Sequence, residues 1–142
     1  MPVQMELSRI LISETEDTHV LELREVDPIE PGEPRKFPII IGFNEAAAIE
    51  RRLMGQIPPR PQTHELLADV IDRLGFRLQE VVVNDLSDHT FFARLHLQSQ
   101  SDPADLRQID SRPSDAIALG VATEVPIFVA ESVLDEVCRP AT

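Results

Sequence analysis

The sequence predicts a single α+β domain over residues 1–142, with a mixed or antiparallel sheet built from β-hairpins, three main helices and a short C-terminal helix. Three observations lead there. Several short runs rich in Val, Ile, Leu and Phe alternate apolar with polar residues, which is the two-residue period of a half-buried strand. Two stretches in the first half and one near the end repeat their apolar residues every three or four positions, as an amphipathic helix does. Between these runs lie segments dense in Pro, Gly, Ser and Asp, the residues that break regular structure.

Residues 3–13 and 18–26 are rich in branched apolar side chains and are separated by the polar segment Ser-Glu-Thr-Glu-Asp, which predicts an antiparallel hairpin. The Pro-rich stretch Asp27–Pro34 reads as a loop, and Phe37–Ile41 as a short buried strand. Asn44–Met54 carries Ala46, Ala47, Ile49, Leu53 and Met54 at helical spacing and is ended by Gly55. Ile57–Gln62 contains three prolines and cannot continue a helix. Thr63 is the expected cap of a second helix, whose Leu66, Leu67, Val70, Ile71 and Leu74 form one stripe expected to face the core, with Gly75 as its stop. Phe76–Leu86 and His89–Gln98 flank a tight Ser87-Asp88 turn and predict a second hairpin, with Phe91, Ala93, Leu95 and Leu97 on the core face and Arg94 and His96 on the other. Leu106–Asp110 is a short strand. Pro113–Ala122 is a third helix with Ala116, Ile117, Gly120 and Val121 inward. Val125–Ala130 is the last strand, and Ser132 with Asp135 has the spacing of a capping box for a terminal helix that packs Leu134 and Val137 inward.

The composition narrows the function. At 42% hydrophobic over 142 residues the chain can bury a core of its own. No apolar run approaches the length of a membrane span, and no basic-then-apolar leader opens the chain. Cys138 is the single cysteine, so an internal disulfide and a cysteine-built metal site are both excluded, and a reducing cytoplasm is the expected location. A net charge of −12 argues against a nucleic-acid binder that wraps phosphate in a uniformly basic surface. Acids dominate residues 1–33, whereas Arg35, Lys36, Arg51, Arg52 and Arg60 outnumber the acids between 35 and 60, so a local basic patch and an ordinary solvated helix face are both open readings.

Phosphate-cradling glycine loops, HExxH, GxSxG and paired CxxC motifs are all missing. What remains is polar residues at the starts of helices. In Asp110-Ser111-Arg112-Pro113-Ser114-Asp115 the proline suits a first helical turn, and Ser111, Ser114 and Asp115 suit capping and the helix dipole. Arg112 at a positive helix end calls for an anion beside it, either Asp110 or a ligand phosphate. His64 follows the Pro-rich connector and precedes Glu65; it is either a surface residue of a first turn or a general base.

The stretch FPIIIGFNEAAAIERRLMGQIPPRPQTHELLADVIDRLG, followed by VVVNDL, FFARL and IDSRPSDAIALGVATEVPIFVAESVL, resembles the bifunctional nuclease domain family of bacteria and plants, over roughly Met5 to Val137. The resemblance implies a compact α+β fold, an oligomeric habit and a nuclease activity on RNA and DNA of the kind attributed to plant members. It carries the family's recurrent polar positions onto Glu45, Arg60, Thr63, His64, Asp85, Arg94, Asp110, Arg112, Ser114 and Asp115. Two hypotheses follow. In the first, Asp110 and Asp115 hold a divalent metal ion, His64 activates water, and Arg60 and Arg112, with Thr63, Arg94 and Ser114, contact an RNA or DNA substrate. In the second the same residues form an internal network in a non-catalytic module. A homo-oligomer is expected under both, and a membrane partner under neither.

Overall fold

The structure, a computed structural model, describes residues 2–13, 15, 18–28 and 32–138. Glu14, Glu16 and Asp17 of the first expected turn, and Ile29–Pro31 of the following loop, lie outside the described residues. Seven strands and four helices run in the order β1 (Val3–Ile12), β2 (His19–Glu25), β3 (Lys36–Ile41), α1 (Phe43–Leu53), α2 (Thr63–Arg73), β4 (Phe76–Ser87), β5 (Thr90–Ser99), β6 (Leu106–Ser111), α3 (Pro113–Thr123), β7 (Ile127–Val129) and α4 (Glu131–Val137). The strands form one mixed sheet in the order β3-β2-β1-β7-β4-β5-β6. Among the described residues β4 and β7 are the parallel pair, and the other neighbours are antiparallel. The last strand therefore joins the two hairpin halves instead of extending an edge, a placement no local signal carries.

Strand alternation builds one continuous apolar face. Met5 is joined in register through Ile127 and Val81 to Leu95, and Ile39 pairs with Leu21 across the first half of the sheet. These residues, with Leu23, Phe37, Val83, Ala93, Leu97 and Val129, are buried in a single core. The β4–β5 turn consists of Asp88 and His89, both at positive φ (50° and 64°), one residue later than expected. Two consecutive left-handed residues are what a two-residue hairpin turn requires.

Helix α3 lies deepest. Ala116, Ile117, Ala118, Leu119 and Gly120 are all buried, so it is enclosed on more sides than the amphipathic expectation allowed. Gly120 permits this, because a Cβ there would stand 3.3 Å from Val81 Cγ2. Helices α1 and α2 both pack against α3. For α2 the expected orientation is corrected. It turns His64, Ala68 and Ile71 inward and leaves Leu66, Leu67, Val70 and the adjoining Leu74 exposed. Ala68 and Ile71 pack against the core, and Ala68 lines a pocket together with Ala118 and Ala122 of α3.

The expected side-chain caps are corrected as well. Gln62, not Thr63, is the N-cap of α2, and Ala130 is that of α4, in both cases without a side-chain cap bond. Arg112 occupies the N-cap of α3 with Pro113 following, again without a side-chain cap bond from either serine. Cys138 is half-buried with its Sγ 3.7 Å from the Lys36 carbonyl, and burial raises its thiol pKa.

Ends of the sheet and α4 are tied by Arg35, whose Nε donates to Glu25 Oε1 at 2.8 Å and whose Nη1 donates to Glu131 Oε1 at 2.7 Å. Hydrogen bonding from Arg35 lowers the Glu25 pKa against the opposing effect of burial. A carboxylate whose folded pKa is depressed contributes stability that is present above its unfolded pKa and lost as pH falls through the folded value. Glu25→Gln is therefore expected to cost about 1–3 kcal/mol at neutral pH. The difference from the parent, measured by urea unfolding, should shrink as pH falls below the ordinary glutamate value of 4.5.

Candidate functional site

Three helix starts meet at one place. Glu45 stands in the first turn of α1, His64 in that of α2 and Asp115 in that of α3. None of the three N-caps, Gly42, Gln62 and Arg112, makes a side-chain cap bond. Each start carries unsatisfied N–H groups and the positive end of a helix dipole, so their convergence favours negative charge.

The side chains form a chain of contacts across these starts. His64 Nε2 lies 3.0 Å from Asp115 Oδ1. Arg112 Nε donates to Asp115 Oδ2 at 2.9 Å, and Arg112 Nη2 donates to Glu45 Oε1. A carboxylate oxygen accepts, so in the neutral ring Nε2 carries the proton and Nδ1 keeps the lone pair. Hydrogen bonds to Asp115 first and Glu45 second raise the Arg112 pKa, so its guanidinium stays charged. The Arg112 side chain is nonetheless 67% exposed, Asp115 is 33% exposed, and His64 and Glu45 are nearly closed off. The anion that Arg112 requires is thus supplied by Asp115 and Glu45, and Asp110 plays no part in it.

Gly42 makes the Glu45 position available. A Cβ at residue 42 would sit 2.6 Å from Glu45 Oε2. The carboxylate folds back over the backbone of its own N-cap and from there reaches Arg112.

A pocket of about 220 Å³ opens beside His64. Ala118 and Ala122 of α3 line it together with Ala48 and Arg52 of α1, His64, Glu65, Ala68 and Asp69 of α2, and Gln56, Ile57 and Pro58 of the connector. Pro58, the first proline of the connector, thus takes part in the pocket wall. Arg52 is tied to Glu124 at 3.0 Å and Arg51 lies 3.8 Å from Glu65, so the cluster of bases between residues 35 and 60 is largely neutralised. Arg60, exposed in the connector, has no ionic partner among the described residues.

The structure brings His64, Arg112 and Asp115 together, with exposed Thr63 and buried Ser114 adjacent in the same first turns. It does not bring Asp110 or Arg94 to them. Arg94 alternates with buried Ala93 and Leu95 and so points away from the core, and Asp110, its register partner, points the same way. Arg94 there donates to Gln108 Oε1 at 2.9 Å. Asp110 and Asp115 do not fit a shared metal ion: Asp110 points to the face of the sheet away from the core while Asp115 stands in the first turn of α3, both oxygens of Asp115 are engaged, and among the described residues no three His, Cys, Asp or Glu side chains gather as a metal group. Glu45 is the member of this contact chain that local reading passes over. Its helical spacing marks it only as a first-turn acid, and the resemblance alone pointed to it.

This arrangement can be set beside known proteins. The model of the bifunctional nuclease domain matches residues 29–141, and the chain belongs to that family. The chain is 40% identical over 125 residues to an uncharacterized protein of Mycobacterium tuberculosis, covering 88% of this chain and 70% of that one. It is 36% identical over 70 residues to Bifunctional nuclease 2 of Arabidopsis thaliana, covering 49% of this chain and 21% of the plant protein. With Bifunctional nuclease 2 of Oryza sativa subsp. japonica it shares 29% identity over 104 residues, 73% of this chain and 32% of the rice protein. Among the described residues no helix is long and apolar enough to cross a membrane.

The contact chain makes a prediction of its own. Gly42→Ala should leave the fold intact, with unfolding free energy within about 1 kcal/mol of the parent, because the backbone at residue 42 is extended and the clash falls on a flexible carboxylate. A crystal structure of the variant should show Glu45 displaced and its bond to Arg112 lengthened or lost.

Proposed function

We propose that this chain is a phosphodiesterase acting on RNA or DNA, with His64 as general base and Asp115 as the residue that positions it. The observation that carries the reading is the 3.0 Å contact between His64 Nε2 and Asp115 Oδ1, made where three helix starts without side-chain caps meet, with a pocket opening beside His64. Asp115 holds the proton on Nε2, which leaves Nδ1 to take a proton from a water as that water forms the new P–O bond; the opposite P–O ester bond breaks, and solvent water protonates the departing oxygen. The extra negative charge that develops on the phosphate oxygens would be met by the exposed guanidinium of Arg112, by Arg60 and by the dipoles of α2 and α3. Thr63, exposed beside His64, would donate its hydroxyl to a non-bridging oxygen, and Ser114, buried in the first turn of α3, would act through the backbone it shapes. The names of the plant relatives and the family match support a nuclease, and the single thiol supports a reducing cytoplasm as its place of action.

A specific observation favours the second reading, a non-catalytic module: the acceptors of Asp115 and one of Glu45 are already filled from within the protein, in a chain of net charge −12. The two readings separate on a single assay of purified protein with single-stranded RNA and DNA, with and without added divalent ions and chelator. Cleavage is expected, and His64→Ala and Asp115→Asn should each lower it by roughly 10²–10⁴-fold. Arg60→Ala should act chiefly by raising KM. Parent protein that cleaves nothing above background, or a His64→Ala variant as active as the parent, removes the catalytic reading and leaves the module.

A further inference from the structure

Outside the pocket, the most unusual surface is the outer face of α2. Leu66, Leu67, Val70 and the adjoining Leu74 are between 38% and 73% exposed, although they are the very residues an amphipathic helix would bury. Leu66, Val70 and Leu74 follow one another at four-residue steps and so make a single ridge along the helix. Beside it, on one edge, lie Asp69 and Arg73. They are four residues apart on the same helix, yet among the described residues they form no ion pair with each other or with any other group. A ridge of this kind, flanked by two opposite charges without partners, marks an association surface.

We propose that two copies of this chain dock through α2 in antiparallel orientation, about a two-fold axis that passes Val70. In that register Leu66 of each copy meets Leu74 of the other, and Val70 meets its own counterpart. Arg73 stands three residues from the axis and the second copy's Asp69 stands one residue from it on the same side, so they are separated by roughly 3 Å along the helices at 1.5 Å rise per residue. Both charges on each copy are then paired, twice over by symmetry. Parallel docking would instead put the two Asp69–Arg73 flanks on opposite sides of the contact, leaving these charges unpaired, and it would align the two helix dipoles. The antiparallel pair uses the same patch on both partners and closes at two copies. Asp69 also lines the pocket beside His64, so the second copy's Arg73 would come to the acidic rim of that pocket.

Analytical ultracentrifugation of the purified chain between about 1 and 200 µM tests this without reference to any activity. The parent is expected to sediment as a dimer. Val70→Asp places two like charges on the axis and should give a monomer whose circular dichroism matches the parent's, and whose unfolding midpoint matches that of the parent at concentrations low enough for the parent to dissociate, because the side chain is exposed in the isolated chain. Asp69→Arg and Arg73→Asp should each weaken the dimer by roughly threefold to tenfold, and the double variant D69R/R73D should recover most of that loss. A monomeric parent over the whole range overturns the proposal. So does a dimer that Val70→Asp leaves intact, or a double variant no tighter than either single one.

Discussion

The structure turns on how closely three helices can approach one another over α3. Ala116 through Gly120 are buried without a break, and a Cβ at Gly120 would crowd Val81 of the sheet at 3.3 Å. On the opposite flank Ala118 and Ala122 face α1 and α2. Because these residues are small, α1 and α2 come near enough for Glu45, His64, Arg112 and Asp115 to touch, and the same shortage of side-chain volume leaves the pocket beside His64. Larger residues on α3 would spread the helices, fill the pocket and separate the contact chain at once.

Electrostatics explains why a polar cluster persists there in an acidic protein. Three helix starts without side-chain caps would otherwise leave their N–H groups and dipoles uncompensated. Glu45 and Asp115 answer that positive field, and Arg112 offsets the repulsion between the two carboxylates while keeping most of its surface in water. Net charge describes the whole chain, whereas local field is set by a handful of groups. For that reason −12 overall and an anion-friendly point on the surface coexist. The bases of residues 35–60 illustrate the converse, since Arg35, Arg51 and Arg52 are each drawn to carboxylates from distant parts of the chain.

Helix α2 shows where periodicity stops being informative. Its leucines and valine do form a stripe, and the stripe is real; what the pattern cannot say is whether that stripe meets this chain's core or another surface. The inward face consists of His64, Ala68 and Ile71, which have little apolar weight between them and gain their place by fitting against α3. Capping was misread for a related reason. Serine and threonine near a helix start satisfy local statistics, yet Thr63 falls inside α2, Ala130 precedes α4, and the starts of α1, α2 and α3 face one another instead of their own side chains.

Strand and helix content, the two hairpins, the Pro-rich break between α1 and α2 and the start of α3 at Pro113 were all determined by the sequence alone, because they rest on two periodicities and on backbone restrictions that act within a few residues. Tertiary structure alone decided the insertion of β7 between the hairpin halves, the direction of Asp110 and Arg94 away from His64, the joining of Glu45 to Arg112 and the outward turn of α2. Each of these depends on which distant surfaces fit together, and fit between surfaces is a property of volumes and angles that no local pattern encodes.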